Sequence, residues 1–549
     1  VDAFEILSPT GRGPSPLEGE ESMKHPWRFW ITAFVLAAGF DLLFWGKSIG
    51  ISFLIWVVLA LAGAIFLSIS ENKRPAAGSW VLGAICIVLA GISFLRQEPF
   101  TRIAAVLLSL ACLGILAATF STGHWLVYTL PQAVVSTART FWAGLSRATR
   151  LTVDVARSQT PDENGKRSIW KSAGPVLRGL LLATPVVIVL GALLASADMV
   201  FARSLEQFFK WFNISNWGEF IFRLFYVLVF TYVFTGLYLH AVQPIYTEAN
   251  LTEKKALIPP FLGHIEAFIV LVSVDLLFVI FVIIQFAYLF GGQANIHELG
   301  FTYSDYARRG FSELVVVAGL SFLLYFVLAG VTRIETPSRR KVFTGLSVGL
   351  MALVVVILAS ALDRLLLYEG AYGFTRVRTY THVLIIWMAV ALLVTVILEL
   401  IGRRNFLPQT FLLTGLCFVL SLGVLNVDGY IVRQNVQRSV GSIELDTEYL
   451  RNLSNDAVPE LFTQFDKPGI SAEIHDELGA ELSCRAYALS KADPQPWQSF
   501  NWASYRTQSL LKQHQTALQP YQVSKNSSNS YLSVQLQNRK YFCTLYDSD

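Results

Sequence analysis

Residues 342–362 read VFTGLSVGLMALVVVILASAL, and none of these side chains carries a charge. At 1.5 Å of rise per residue, a helix of ~20 such residues covers a hydrocarbon core of ~30 Å. A bilayer offers no water to backbone N–H and C=O groups, so a segment of this kind satisfies them internally, as a helix. Comparable runs occupy roughly 27–46, 49–70, 79–95, 103–120, 175–197, 219–241, 264–290, 311–332, 381–401 and 409–431, about eleven spans in all. Composition agrees: 54% of the 549 residues are hydrophobic and 15% are charged, against ~25% charged in a soluble domain. The expected fold class is an all-α polytopic membrane protein with about eleven transmembrane helices.

Charge orients the spans. With the N-terminus placed inside, the inner segments hold 19 Lys and Arg and the outer connections 10, the bias expected of cytoplasmic loops. An odd number of spans then puts the C-terminus outside. The net charge of +4 follows from the same loop bias and calls for no nucleic-acid partner.

Residues 1–22 are turn-rich and uncommitted. Met23 opens a basic lead-in, Met23-Lys24-His25-Pro26-Trp27-Arg28, so Met23 is read either as the native start or as the end of a disordered tail. Residues 121–174 form the longest inner loop. With Trp125 and Trp142 among its basic and apolar residues, it suits either a helix on the cytoplasmic leaflet or a plain topology-setting loop. Residues 201–217, rich in Phe and Trp, read as an outer interfacial helix.

The transmembrane region is expected over 23–432 and a soluble extracytoplasmic domain over 433–549, where the chain turns polar. Glu444 to Phe465 reads as a helical pair broken near Asn452–Asn455 and Pro459. Ala472–Leu489 and Ser499–Leu518 read as further helices. Tyr531–Tyr546 alternates and suggests a closing strand or hairpin. Cys86, Cys112 and Cys417 lie in apolar runs. Cys484 and Cys543 lie in this polar region, where an oxidising compartment permits a disulfide if they meet.

Charged residues in or beside spans carry the functional reading, because a charge inside a span costs about 2.5–3.5 kcal/mol on insertion scales. Before the eighth span, Asp305, Arg309 and Glu313 fall on one helical face, with Tyr306 close by. Between the ninth and tenth, Arg364, Tyr368 and Tyr372 share a face, Gly373 ends that helix and Thr375 caps the next, which brings Arg376 and Arg378 to the outer mouth. The last span ends with Asn426, Asp428 and Arg433. Guanidinium forks bind phosphate or carboxylate bidentately. Two readings stand: an outward pocket for an anionic or lipid-linked ligand, or a network of ion pairs tying helix ends together. Asp275 lies mid-span and is read either as a proton-coupling carboxylate or as a structural one paired with an arginine such as Arg178. Gly345 and Gly349 permit close helix packing.

No P-loop, G-x-S-x-G or H-E-x-x-H occurs, no facing histidines suit a haem, and no Cys spacing suits a metal. No cofactor is expected. The expected partners are membrane lipids and an anionic or lipid-linked ligand.

The strings Tyr306–Leu314, Tyr368–Arg378 and Leu445–Leu450, with Leu453–Ala457 further on, resemble a widespread bacterial family of multi-pass membrane proteins with a domain of unknown function. The resemblance covers roughly residues 170–470 and less clearly the first four spans. It implies the helical fold and a bacterial inner-membrane location, and nothing on mechanism. The leading expectation is binding or transport of an anionic or lipid-linked substrate at the outer leaflet. Arg309, Arg364, Arg376 and Arg378 would hold the anion and Tyr306, Tyr368 and Tyr372 donate hydroxyls. Asp305 and Glu313 would orient the arginines, and Asp275 would couple protons. The alternatives are a membrane-embedded transferase using a lipid-linked donor, with Asp41 as its carboxylate, and a non-catalytic sensor or assembly factor.

Overall fold

The computed structural model describes residues 25–123, 217–242, 260–289, 310–334, 336–439, 445–525, 532–536 and 540–543, with scattered positions between 125 and 204. Ten described helices are long and apolar enough to cross a membrane. They are α1 (Pro26–Phe44), α2 (Ile51–Ser70), α3 (Ala77–Leu95), α4 (Pro99–Thr119), α5 (Trp217–Val242), α6 (His264–Leu289), α7 (Phe311–Val331), α8 (Pro337–Tyr372), α9 (Arg376–Leu400) and α10 (Leu407–Leu425). Most of the expected span at 175–197, the leader over 1–22 and most of the segments 121–174 and 201–217 lie outside the described residues. Trp125 is described and is buried, its indole N–H donating to the Gly78 carbonyl at 3.0 Å. It packs inside the protein instead of lying on a leaflet.

Two of the expected spans differ in length. The apolar run 342–362 is the middle of a 36-residue helix. The stretch through Tyr372 stays helical because Arg364 and Glu369 turn inward, where both are buried. Gly373 ends this helix at φ 79°, ψ 177°, a conformation essentially reserved for glycine. Thr375 occupies the next N-cap position, but its side chain makes no capping bond. The last span stops at Leu425, not at 431. Asn426 takes a left-handed conformation, φ 53°, and a separate helix α11 (Val427–Ser439) follows.

The chain divides into two compact units. One comprises Val1–Ala37, Ala62–Arg74 and Ala143–Val242. Within it Trp30 meets Tyr232 at 6.2 Å between ring centroids, and a Cβ on Gly63 would fall 2.6 Å from the Tyr238 hydroxyl, so α2 and α5 approach closely there. The other comprises Ala38–Leu61, Pro75–Trp142 and Gln243–Asp549. In this second unit α6 and α7 pack on α8, and α9 pairs with α10 around a core that includes Leu271, Tyr325, Leu350, Ile357 and Leu392. The segment before α6 is tied to the end of α7, with Leu262 N–H on the Val331 carbonyl and Arg333 N–H on the Leu262 carbonyl.

Beyond α10 the chain builds a second core from α11, α12 (Thr447–Arg451), α13 (Val458–Phe465), α14 (Ala472–Lys491), α15 (Trp502–Gln513) and three strands, β1 (Val523–Lys525), β2 (Leu532–Gln535) and β3 (Lys540–Cys543). Asp446, Ser471 and Asn501 cap α12, α14 and α15, as short polar side chains do at helix starts. Pro459 stands in the first turn of α13, where proline is tolerated, and does not break a helix. The closing element is a three-stranded antiparallel sheet in order β1-β2-β3, one strand more than a hairpin. Cys484 and Cys543 are joined in a disulfide that ties β3 to α14, with Cα atoms 5.5 Å apart.

Candidate functional site

A polar cluster of the second unit lies where the C-terminal ends of α3 and α10, the N-terminal ends of α4 and α9, and residues 449–456 meet. Its foundations are three buried carboxylates, Glu98, Asp428 and Asp456. Each has a local reason to be there. Glu98 precedes Pro99 and caps α4, accepting from the amides of Phe100 (2.8 Å) and Thr101 (2.7 Å). Asp428 sits in the first turn of α11, which the left-handed Asn426 sets off from α10. Asp456 lies in the short turn before α13.

Each carboxylate is then used across the structure. Arg376 donates to Asp428 through Nε and Nη2, both at 2.7 Å, and the Ser454 amide adds a third bond at 2.6 Å. Asp456 accepts from the amides of Gln97 (2.6 Å) and Glu98 (2.8 Å), with Arg96 3.8 Å away. Tyr380 donates its hydroxyl to Glu98, and the Arg376 amide donates to the Tyr449 hydroxyl at 2.7 Å. Buried ions need this degree of pairing, because desolvation otherwise exceeds the Coulombic gain. Burial pushes the Asp456 carboxyl above its ordinary value even so, against the two amides and Arg96 that pull it down. Burial likewise raises the Tyr449 phenol.

The same face binds the C-terminal region to the connection between α1 and α2. Ile51 N–H donates to the Phe500 carbonyl at 2.8 Å, and Ser48 N–H to the Ser499 hydroxyl at 3.1 Å. A Cβ on Gly50 would fall 2.5 Å from the Phe500 carbonyl oxygen, so only glycine lets the two backbones approach this closely.

The other sequence-nominated residues divide as follows. Arg378 donates to the Tyr372 and Gly373 carbonyls at the end of α8 and lies 4.1 Å over the Tyr368 ring. Tyr368 and Tyr372 pair with ring centroids 4.9 Å apart. Arg364 is buried and reaches Gln285 of α6 at 3.0 Å. Glu313 is exposed and accepts from the neighbouring Ser312 hydroxyl. Arg433 pairs with Glu460. Asp305, Tyr306 and Arg309 lie outside the described residues. Arg376 and Arg378 are therefore close in space, but their donors point at Asp428 and at the α8 terminus. Asp275 faces α8 at Gly349, where an added Cβ would fall 3.7 Å from its Oδ2, and its buried Oδ1 has no hydrogen-bond partner among the described residues. Arg178, its suggested partner, lies outside the described residues.

Partnerships of two buried glutamates of the bundle, Glu369 and Glu399, escaped the sequence reading. Glu369 contacts His382 at 3.2 Å beside the cluster. At the opposite end of α9, buried Glu399 accepts from Arg404, from the Tyr325 hydroxyl at 3.0 Å and from the Thr344 hydroxyl at 3.1 Å. An acidic residue one position before the end of an apolar span and followed by Arg403-Arg404 was the available signal.

Ten membrane-length apolar helices among the described residues define a multi-pass helical membrane protein. The chain belongs to the family of the Domain of unknown function (DUF4153), whose model matches residues 84–463. The match begins inside α3, well before residue 170, and ends inside α13. It thus takes in both the spans and the carboxylate cluster. No curated protein and no solved structure matches the chain.

Proposed function

We propose that this protein is a bacterial inner-membrane platform of eleven spans that holds its C-terminal domain on the extracytoplasmic face as a fixed sensing or assembly surface. The observation that carries this reading is the bidentate Arg376–Asp428 pair, extended by the Ser454 amide. The arginine best placed to bind an external anion instead fastens the C-terminal region to the bundle. Supporting it, Trp497, Trp502 and Tyr505 are exposed beside Phe500, which packs on Phe94 at the end of α3. That level and residue choice fit an interfacial aromatic belt. The disulfide fits an oxidising compartment.

A second reading, proton-coupled movement of an anionic or lipid-linked substrate, is favoured by the Oδ1 of Asp275, which has no hydrogen-bond partner among the described residues. Native mass spectrometry of the full chain in mild detergent separates the two. The platform reading expects no phosphate-bearing ligand whose retention depends on Arg376 or Arg378. A ligand held by wild type and lost in both Arg376→Gln and Arg378→Gln, with the C-terminal domain still protease-resistant, would favour transport. A cytoplasmic C-terminal reporter fusion would contradict the orientation in either case.

A further inference from the structure

The second unit holds a groove of about 500 Å³ at the end of the bundle away from the carboxylate cluster. It opens between the segment before α6, the end of α7, the start of α8 and the α9–α10 connection. Its walls include three guanidiniums, Arg333, Arg340 and Arg404, with Thr332, Pro260 and Ile334, and no acidic side chain among the described residues that line it. Arg404 is neutralised from behind by Glu399, bonded through Nε and Nη2, while its Nη1 makes no hydrogen bond among the described residues. Arg333 is steadied by the Pro260 carbonyl through Nε, and Arg340 by the Gly402 carbonyl. These bonds position the three forks and leave two positive charges facing the groove.

Two features say what would complement them. Arg340 stands in the first turn of α8, the helix end where the backbone dipole favours negative charge. Close in sequence to residues of the groove walls or their partners, Phe261, Val342, Leu400 and Ile401 are exposed apolar side chains. We propose that this groove binds a phosphate group, with the guanidiniums on its oxygens as arginine forks are shaped to do. The flanking apolar residues suit the phosphate of an anionic phospholipid, and a soluble phosphate compound shares the recognised chemistry. The site is separate from the carboxylate cluster and does not depend on the platform reading.

Native mass spectrometry of the full chain, released from nanodiscs of mixed phosphatidylglycerol and phosphatidylcholine, tests this. Wild type should retain phosphatidylglycerol selectively, and Arg333→Gln/Arg340→Gln should retain at least about fivefold less, a loss of about 1 kcal/mol. Lys341→Gln/Arg403→Gln removes the same charge at the same end from residues that do not line the groove, and should retain it as wild type does. Displacement by millimolar inorganic phosphate would assign the site to soluble phosphates, and resistance to it to the lipid. Equal loss in both double variants would reduce the effect to general surface charge and overturn the proposal. Glu335 adjoins the groove in sequence and lies outside the described residues. Lipid retention that appears only in Glu335→Gln would mean that the protein fills the groove with its own carboxylate, and would also overturn it. Phenylglyoxal labelling of Arg333 and Arg340 in wild-type vesicles needs no variant to fold. It should be slowed in phosphatidylglycerol relative to phosphatidylcholine, and equal rates would contradict the proposal.

Discussion

Arg376, at the first position of a membrane helix, and Asp428, at the start of the helix that leads out of the bundle, are joined by two parallel 2.7 Å hydrogen bonds, and Asp428 is completely buried. The pair closes a circuit with the Ser454 amide on Asp428, Asp456 on the amides of Gln97 and Glu98, and Tyr380 on Glu98. Through it the polar C-terminal region and four membrane helices share one set of buried charges.

Removing one partner strands the other. Arg376→Gln or Asp428→Asn should destabilise the protein by about 3–5 kcal/mol, read as a lowered thermal midpoint and faster proteolysis within residues 445–525. Arg376→Lys should rescue only in part, since an ammonium cannot span both carboxylate oxygens. Wild-type stability in Arg376→Gln would show that the pair carries no weight.

Gly373 supplies the turn that brings α9 back against α8. A Cβ there would fall 2.8 Å from the Asn435 side-chain oxygen and 3.0 Å from Arg438 Nη2, on a backbone at φ +79°. Gly373→Ala should therefore cost about 1–3 kcal/mol. Gly370→Ala, three residues earlier and with open space around it, should be neutral or slightly stabilising, since alanine favours a helix. Equal effects in thermal melts would remove the conformational argument.

The Cys484–Cys543 bond spans 59 residues of sequence. Loop-closure entropy for a ring of that size is worth about 4 kcal/mol, so Cys484→Ser/Cys543→Ser should lower stability by up to that amount. In protein isolated without reductant, both cysteines should resist maleimide until reduced. Free labelling of both in folded wild type would place this region in a reducing compartment.

Buried Tyr541 donates to Glu481 at 2.8 Å, and burial with that neighbouring carboxylate holds its phenol far above the ordinary value. The unfolded chain loses the proton near pH 10 while the folded chain keeps it. The bond's contribution is thus fully present below about pH 10 and is lost as pH rises beyond. Thermal midpoints should fall progressively as pH rises above about 10, and Tyr541→Phe should flatten that fall. An unchanged alkaline slope in Tyr541→Phe would assign it elsewhere.

Ten of the expected spans are described helices because a membrane helix is written as a local run of apolar residues. The misreadings share a cause: hydropathy does not record where a helix bends or continues. Asp363, Arg364 and Glu369 end the apolar run, so hydropathy stops the span at 362, although the shared face of Arg364, Tyr368 and Tyr372 and the stop at Gly373 already mark the continuation that α8 makes to Tyr372. The left-handed Asn426 sits in a run apolar enough to pass for the same span. Arg376, Asp428 and Arg378 were legible as polar residues at helix ends. Their partners were not, since Glu98 and Tyr380 are 282 positions apart and Glu98 and Asp456 are 358. Local periodicity carries no record of such pairings.

Hydrogen exchange at Gln97, Glu98 and Ser454 in the full chain, wild type beside Asp428→Asn, tests the central claim most directly. These three amides donate to Asp456 and Asp428. If the circuit locks the C-terminal region to the bundle, all three are protected in wild type and lose protection together in the variant. Free exchange at Gln97 and Glu98 in wild type, or a loss confined to Ser454 in the variant, would contradict it.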